Sequence, residues 1–128
     1  MGDATIVIIE SPYAGGVERN KTYLRACLRD SLLRGEAPFA SHGLYTQDGV
    51  LDDLIPGERA HGIEAGFAFR RAAALTAVYG DLGVSGGMQL GIDHSVEAGI
   101  PVEYRSLPGW VNENPVEPSG EYTLSERL

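Results

Sequence analysis

Thr5, Ile6, Val7, Ile8 and Ile9 are all β-branched, a stiff apolar run with no polar side to turn toward water. A run of this kind makes a strand buried on both faces, and such strands belong to parallel sheets covered by helices on either side. Leu75-Thr76-Ala77-Val78-Tyr79 and Ile100-Pro101-Val102-Glu103-Tyr104 repeat the pattern. A weaker run over residues 37–41 contains Pro38, which suits a sheet edge. Amphipathic stretches separate these runs. Over residues 17–34, Val17, Leu24, Leu28 and Leu32, with Tyr23, Cys27 and Ser31 beside them, oppose Glu18, Arg19, Lys21, Arg25 and Arg29, and Gly35 stops the helix. Residues 57–72 predict a second helix with Ala60, Ile63 and Phe67 inward, and Gly62 and Gly66 one turn apart to admit a close neighbour. Residues 86–98 predict a third, with Met88, Ile92 and Val96 inward and Gly99 at its end. Residues 42–56 lack periodicity and read as a long loop holding at most one helical turn.

The order β-α-β-α-β-α-β demands right-handed crossovers. The fold class expected is therefore α/β: a Rossmann-like three-layer sandwich with a parallel sheet of about four strands, in order 2-1-3-4. The 128 residues fit one such domain over residues 1–107. Residues 108–128, with Pro108, Gly109, Pro115, Pro118, Gly120 and four glutamates, read as an acidic tail, partly disordered or draped over a neighbour; a third functional alternative is an interaction module in which this tail, with Trp110, docks on a partner or another subunit. A net charge of −8 lacks the basic footprint that nucleic-acid binding needs, so no nucleic-acid partner is expected. No apolar run approaches the about 20 residues that cross a bilayer, and no membrane partner is expected. The start has no basic segment or cleavage site of a secretory leader, and Ile6 stands where a myristoylation motif needs Ser or Thr. Cys27 is alone on the apolar side of a helix, which excludes a disulfide framework and points to the cytoplasm. His42, His61 and His94 lie on separate elements, so neither a metal nor a cofactor is expected.

In the order 2-1-3-4 the connections leaving the first and third strands diverge, opening a crevice at the C-terminal edge of the sheet. The two loops that flank it, residues 11–16 and 80–87, are the most glycine-rich of the chain. Ser85 is placed to cap the third helix, while Gly86 and Gly87, followed by Met88, would let a ligand approach the backbone where free N–H groups favour phosphate or sugar hydroxyls. Ser11, Pro12 and Tyr13 end the first strand at the same crevice, Asp81 follows the third strand, and His42, Tyr45 and Gln47 follow the second. These residues are the expected ligand contacts. The plainer alternative is that the glycines only turn the chain, Ser85 only caps, and Asp81 only fixes its own turn.

The loop Ser11-Pro12-Tyr13 and the run Asp81-Leu82-Gly83-Val84-Ser85-Gly86-Gly87-Met88, ahead of Gly99-Ile100-Pro101-Val102, resemble the nucleoside 2-deoxyribosyltransferase-like group. The closer resemblance is to a phage and bacterial domain family of unknown function within it. That family has runs similar to Asp30-Ser31-Leu32-Leu33-Arg34-Gly35-Glu36-Ala37-Pro38, to Ser41-His42-Gly43-Leu44-Tyr45-Thr46-Gln47 and to Pro101-Val102-Glu103-Tyr104-Arg105-Ser106-Leu107. The resemblance implies a flavodoxin-like fold and a crevice for a nucleoside or related N-glycoside. In the deoxyribosyltransferases a glutamate near the start of the third helix attacks the anomeric carbon. The matching position here is Gly91, or Gln89 in a shifted register, and neither has a carboxylate. The expectation is thus a binder of a nucleoside- or nucleotide-derived small molecule, sequestering a nucleotide signal in phage–host conflict as an anti-defence protein. The alternative is a deoxyribosyltransferase or N-glycoside hydrolase with a relocated carboxylate, for which Asp81, Glu64 and Glu103 are the candidates. The resemblance further implies a homo-oligomer in the cytoplasm, the host's if phage-encoded.

Overall fold

The structure, a computed structural model, describes residues 4–110. Four parallel strands, β1 (Thr5–Glu10), β2 (Glu36–Phe39), β3 (Leu75–Tyr79) and β4 (Val102–Arg105), form one sheet in the order β2-β1-β3-β4. Four helices join them: α1 (Val17–Leu33), the single turn α2 (Ser41–Leu44), α3 (Pro56–Arg70) and α4 (Gly86–Glu97). This is the α/β architecture and strand order expected from the alternation of buried runs and amphipathic stretches.

Strand side chains alternate between faces, and the alternation divides the core. Val7, Ile9, Ala77 and Tyr79 pack with Tyr23, Leu24 and Cys27 of α1. On the opposite face Val78 packs with Met88 and Ile92 of α4. There α3 lies beside α4 and against α2. The close neighbour that Gly62 and Gly66 admit is the chain after β2: Cβ atoms built at these glycines would lie 3.2 Å from Leu51 and 2.7 Å from Ser41.

Three expected helix stripes shift. Leu32 of α1 and Val96 of α4 are exposed, and the buried set of α1 is Asn20, Tyr23, Leu24, Cys27 and Ser31. Each i+4 step drifts about 40° around a helix, so a stripe read in successive fours leaves the core within two turns. On α3 the buried residues are Gly66 and Arg70, with Ile63 and Phe67 half-buried and Ala60 exposed. A buried arginine replaces the apolar contact that periodicity implies. Trp110, assigned to a docking tail, packs edge-on against Tyr23 at 4.9 Å in the chain's own core. Residues 111–128 of that tail lie outside the described residues.

Charged side chains close the α1 side of the sheet. Arg105 donates to both oxygens of Glu36 (2.7 and 2.8 Å), to Glu103 (2.5 Å) and to the Tyr79 hydroxyl (3.0 Å), which itself donates to Asp30 (2.7 Å). Hydrogen bonds from Arg105 hold the Glu36 carboxyl below its usual range. One guanidinium thus ties β4 to β3, β2 and α1. Arg105→Met should lower stability in urea unfolding by about 3 kcal/mol, because it leaves a largely buried carboxylate unpaired; a loss below about 1 kcal/mol would show the network to be incidental.

Candidate functional site

At the C-terminal edge of the sheet, where β1 and β3 lead away in opposite directions, lies a cavity of about 420 Å³. That volume is within the range of small-molecule sites. Its walls come from the loop after β1, from α2 and the chain following it, from α3, and from the first turns of α4.

Eleven residues are the ligand contacts expected from the sequence. The structure brings Ser11, Tyr13, His42, Tyr45, Ser85, Gly86, Gly87 and Met88 into the cavity wall. Pro12 and Gln47 instead line a neighbouring groove beside α1, where Gln47 is exposed and donates to the Leu44 carbonyl. Asp81 faces the other side of the sheet. Its carboxylate accepts from Tyr23 (2.7 Å), Ser106 (2.6 Å) and the Leu107 amide (2.9 Å), tying the exit of β3 to α1 and to the chain after β4. Those bonds occupy the carboxylate as a structural hub away from the cavity. The other two carboxylate candidates also lie elsewhere. Glu64 is exposed on α3, and Glu103 pairs with Arg105 and, at 3.9 Å, Arg34.

Local chemistry sets each wall. Asn20 donates to the carbonyls of Tyr13 (2.8 Å) and Ala14 (3.1 Å), fixing the β1–α1 loop that carries Ser11 and Tyr13. Gly83, at φ +92°, allows the turn into α4, and Ser85 caps that helix by accepting from the Met88 amide at 3.2 Å. The first-turn N–H groups of Gly86 and Gly87 have no carbonyl to bond within the helix. Arg59 of α3 reaches toward them, with Nη2 3.5 Å from a Cβ built at Gly87, while its Nε lies 3.8 Å from Asp53.

Ser11 and His42, 31 residues apart, share a 2.7 Å hydrogen bond between Oγ and Nε2. Desolvation pushes the imidazole down to about 4, so it is neutral at pH 7.

The cavity floor holds groups outside the expected set. Glu10, the last residue of β1, is buried and accepts from Arg70 Nη2 at 2.6 Å. Arg70 Nη1 donates to Ser95 (2.8 Å) and Thr76 (3.2 Å), whose hydroxyls are 2.7 Å apart. Burial pushes the Glu10 carboxyl up to about 7 despite the opposing pull of Arg70. Gly91 makes the arrangement possible. A Cβ there would overlap Glu10 Oε2 and fall 2.9 Å from Arg70 Nη2. The position to which the resemblance assigns a carboxylate on α4 is therefore filled by one from β1. Gln89, the shifted-register candidate, is buried and donates to Asp93 at 3.0 Å. The available signal was Glu10 itself, a charge closing an otherwise apolar central strand. Arg70 gave none, since an arginine in a last helical turn is ordinarily a surface residue favoured by the helix dipole.

Among the described residues, no group of three or more His, Cys, Asp or Glu could hold a metal ion, and no helix is long and apolar enough to cross a membrane.

Two outcomes follow. Gly91→Ala should destabilise the protein by about 1–3 kcal/mol in urea unfolding, since the added methyl displaces a buried ion pair; a neutral effect would contradict the packing. The depressed His42 pKa contributes stability that is fully present above pH 6.5 and lost as pH falls toward 4, where the unfolded chain binds a proton that the native site refuses. Glu10, raised from 4.5 to about 7, acts in the opposite sense: its contribution is present below 4.5 and lost as pH rises through 7. His42→Gln should therefore show a smaller drop in Tm from pH 7 to pH 5 than the parent protein, and an equal or larger drop would refute the assignment.

The fold is similar to that of a solved 2-deoxyribosyltransferase from the psychrotolerant bacterium Bacillus psychrosaccharolyticus. The TM-score is 0.55 at 15% identity, covering 81% of this chain and 74% of that one. No curated protein matches the chain. A family model described as a domain of unknown function, DUF7768, matches residues 5–105. With all four strands and the walls of the cavity inside that match, the chain belongs to the DUF7768 family.

Proposed function

We propose that this protein binds a nucleoside- or nucleotide-derived small molecule in the cavity at the C-terminal edge of its sheet. The observation that carries the reading is the pairing of two kinds of wall in one cavity. Tyr13, Tyr45 and Phe67 offer aromatic surface to a base, and Arg59 with the opening turn of α4 offers positive charge to a phosphate. Ser11 and His42 add neutral hydrogen-bonding groups suited to sugar hydroxyls. The likeness of fold to a deoxyribosyltransferase supports the choice of ligand class.

In the fuller form of this reading, the protein works in the cytoplasm, the host's when phage-encoded, and withdraws a nucleotide signal during phage–host conflict. It acts there as a homo-oligomer. Exposed Leu54 and Leu90, which line a shallow groove beside the cavity, supply apolar surface for a second copy. A second reading, cleavage or exchange of the N-glycosidic bond, is favoured by the carboxylate in the cavity floor.

Titration calorimetry with adenosine, guanosine, thymidine and cytidine and their 5′-mono- and diphosphates tests the binding. Arg59→Gln should weaken the phosphorylated ligands about tenfold, the loss of one charge-assisted hydrogen bond, and leave the nucleosides unchanged. If none of these compounds binds, the reading falls.

A further inference from the structure

We infer that Glu10 is the acid–base residue of this cavity and that the site hydrolyses the N-glycosidic bond of its ligand. The inference rests on the nucleoside or nucleotide reading above and adds to it a reaction and the group that performs it.

Three carboxylates line the cavity, and two are committed at its mouth. Asp53 faces Arg59 at 3.8 Å, and Glu58 accepts from the Asp52 amide at 2.9 Å. Glu10 alone of the three is buried. Its Oε2 is held by Arg70, and its Oε1 accepts no hydrogen bond from any described residue, although the side chain forms part of the cavity wall. The carboxylate is thus clamped at one oxygen and presented by the other. The absence of a side chain at Gly91 lets it lie directly against α4.

Placement specifies what Oε1 would meet. Gly87, beside the Arg59 guanidinium, and Gly91, beside the Glu10 carboxylate, are four residues apart on α4, about 6 Å along its axis. That spacing is comparable with the reach of one sugar. A ligand whose anionic end lies at Arg59 therefore sets its ring over Glu10.

The charge facing Glu10 is Arg70 of α3. From α4 the facing positions are Gly91 and the neutral Ser95, from β3 the neutral Thr76, and from α2 the neutral His42 through Ser11. With its affinity for protons raised to the neutral range, the carboxyl can both take and return a proton near pH 7. In the reaction Glu10, protonated at Oε1, gives its proton to the base nitrogen as the carbon–nitrogen bond breaks, and the bonding pair leaves with the base. Water then bonds to the cationic anomeric carbon from the vacated face and passes one proton back to Glu10 Oε1. Sugar (or sugar phosphate) and free base are the products, and the protonated carboxyl is restored. Arg70 is a positioning residue: it holds Oε2 and keeps part of the carboxyl ionised.

The test incubates the full chain with the same nucleosides and 5′-phosphates, follows base release by chromatography, and measures binding in parallel by calorimetry. Base release is expected, with a pH profile whose limb near 7 disappears in Glu10→Gln. That variant should lose about 10²–10⁴-fold in kcat with KM little changed. Should Glu10→Gln fail to fold with Arg70 unpaired, Glu10→Asp keeps the charge and withdraws it by one methylene, and it should lose at least tenfold in kcat with the same circular dichroism spectrum. Binding without base release by the parent protein overturns this inference and leaves the binding reading standing. So do equal rates in parent and folded variants, or exchange of one base for another without hydrolysis. Absence of binding removes both.

Discussion

The interior of this protein is organised around an ion pair held out of water. Glu10 and Arg70 meet at 2.6 Å with side chains only 9% and 5% exposed, and taking two such charges from water costs several kcal/mol each unless their remaining valences are met. Thr76 and Ser95 accept from one end of the guanidinium, its buried Nε is left without a partner among the described residues, and α4 gives up a side chain at Gly91 to leave room for the carboxylate. One pair therefore links β1, β3, α3 and α4, the elements whose edges form the cavity. Apolar residues of similar volume would serve stability as well or better.

The sheet explains how a charge comes to stand in a site. Along β1 the side chains alternate, so Val7 and Ile9 point into the α1 core while Ile8 and Glu10 point toward α3 and α4. Glu10 is the last strand residue, and the parallel order places the strand's end at the topological switch between β1 and β3. The two faces then divide the polar work. On the α1 face Arg105, Glu36, Tyr79 and Asp30 bond among themselves and hold the sheet together, and Asp81 is consumed by Tyr23, Ser106 and Leu107. On the other face Ser11, His42, Arg59 and Glu10 line an open volume. Two acidic residues near the ends of neighbouring strands thus have opposite fates, decided by which side of the sheet each faces.

Much of the architecture was legible in the chain. The β-branched run of β1, the span of α1, Gly35 at φ +84° after that helix and Ser85 before α4 each rest on interactions a few residues long, and each stands where the sequence placed it. The crevice followed from strand order, and eight of the eleven expected contacts line it because they flank the C-terminal ends of strands. The expectation for Asp81 went astray because position along a strand says nothing about which face a residue after its end will turn to. That for Trp110 went astray because composition separates a tail from a domain without saying where the last packing contact lies.

By itself, the sequence determined the order of elements, their parallel pairing and the edge of the sheet where the cavity opens. All of these arise from period, propensity and turn chemistry, which act between near neighbours. Only the tertiary structure decided which polar groups meet. Ser11 and His42 are 31 residues apart, Tyr23 and Asp81 58, and Glu10 and Arg70 60, with Gly91 from a third element leaving the space for that last contact. Hydrogen bonds and ion pairs form or fail within a few tenths of an ångström, and the distance between groups on different elements is set by packing of the whole core. No local pattern in the chain encodes it.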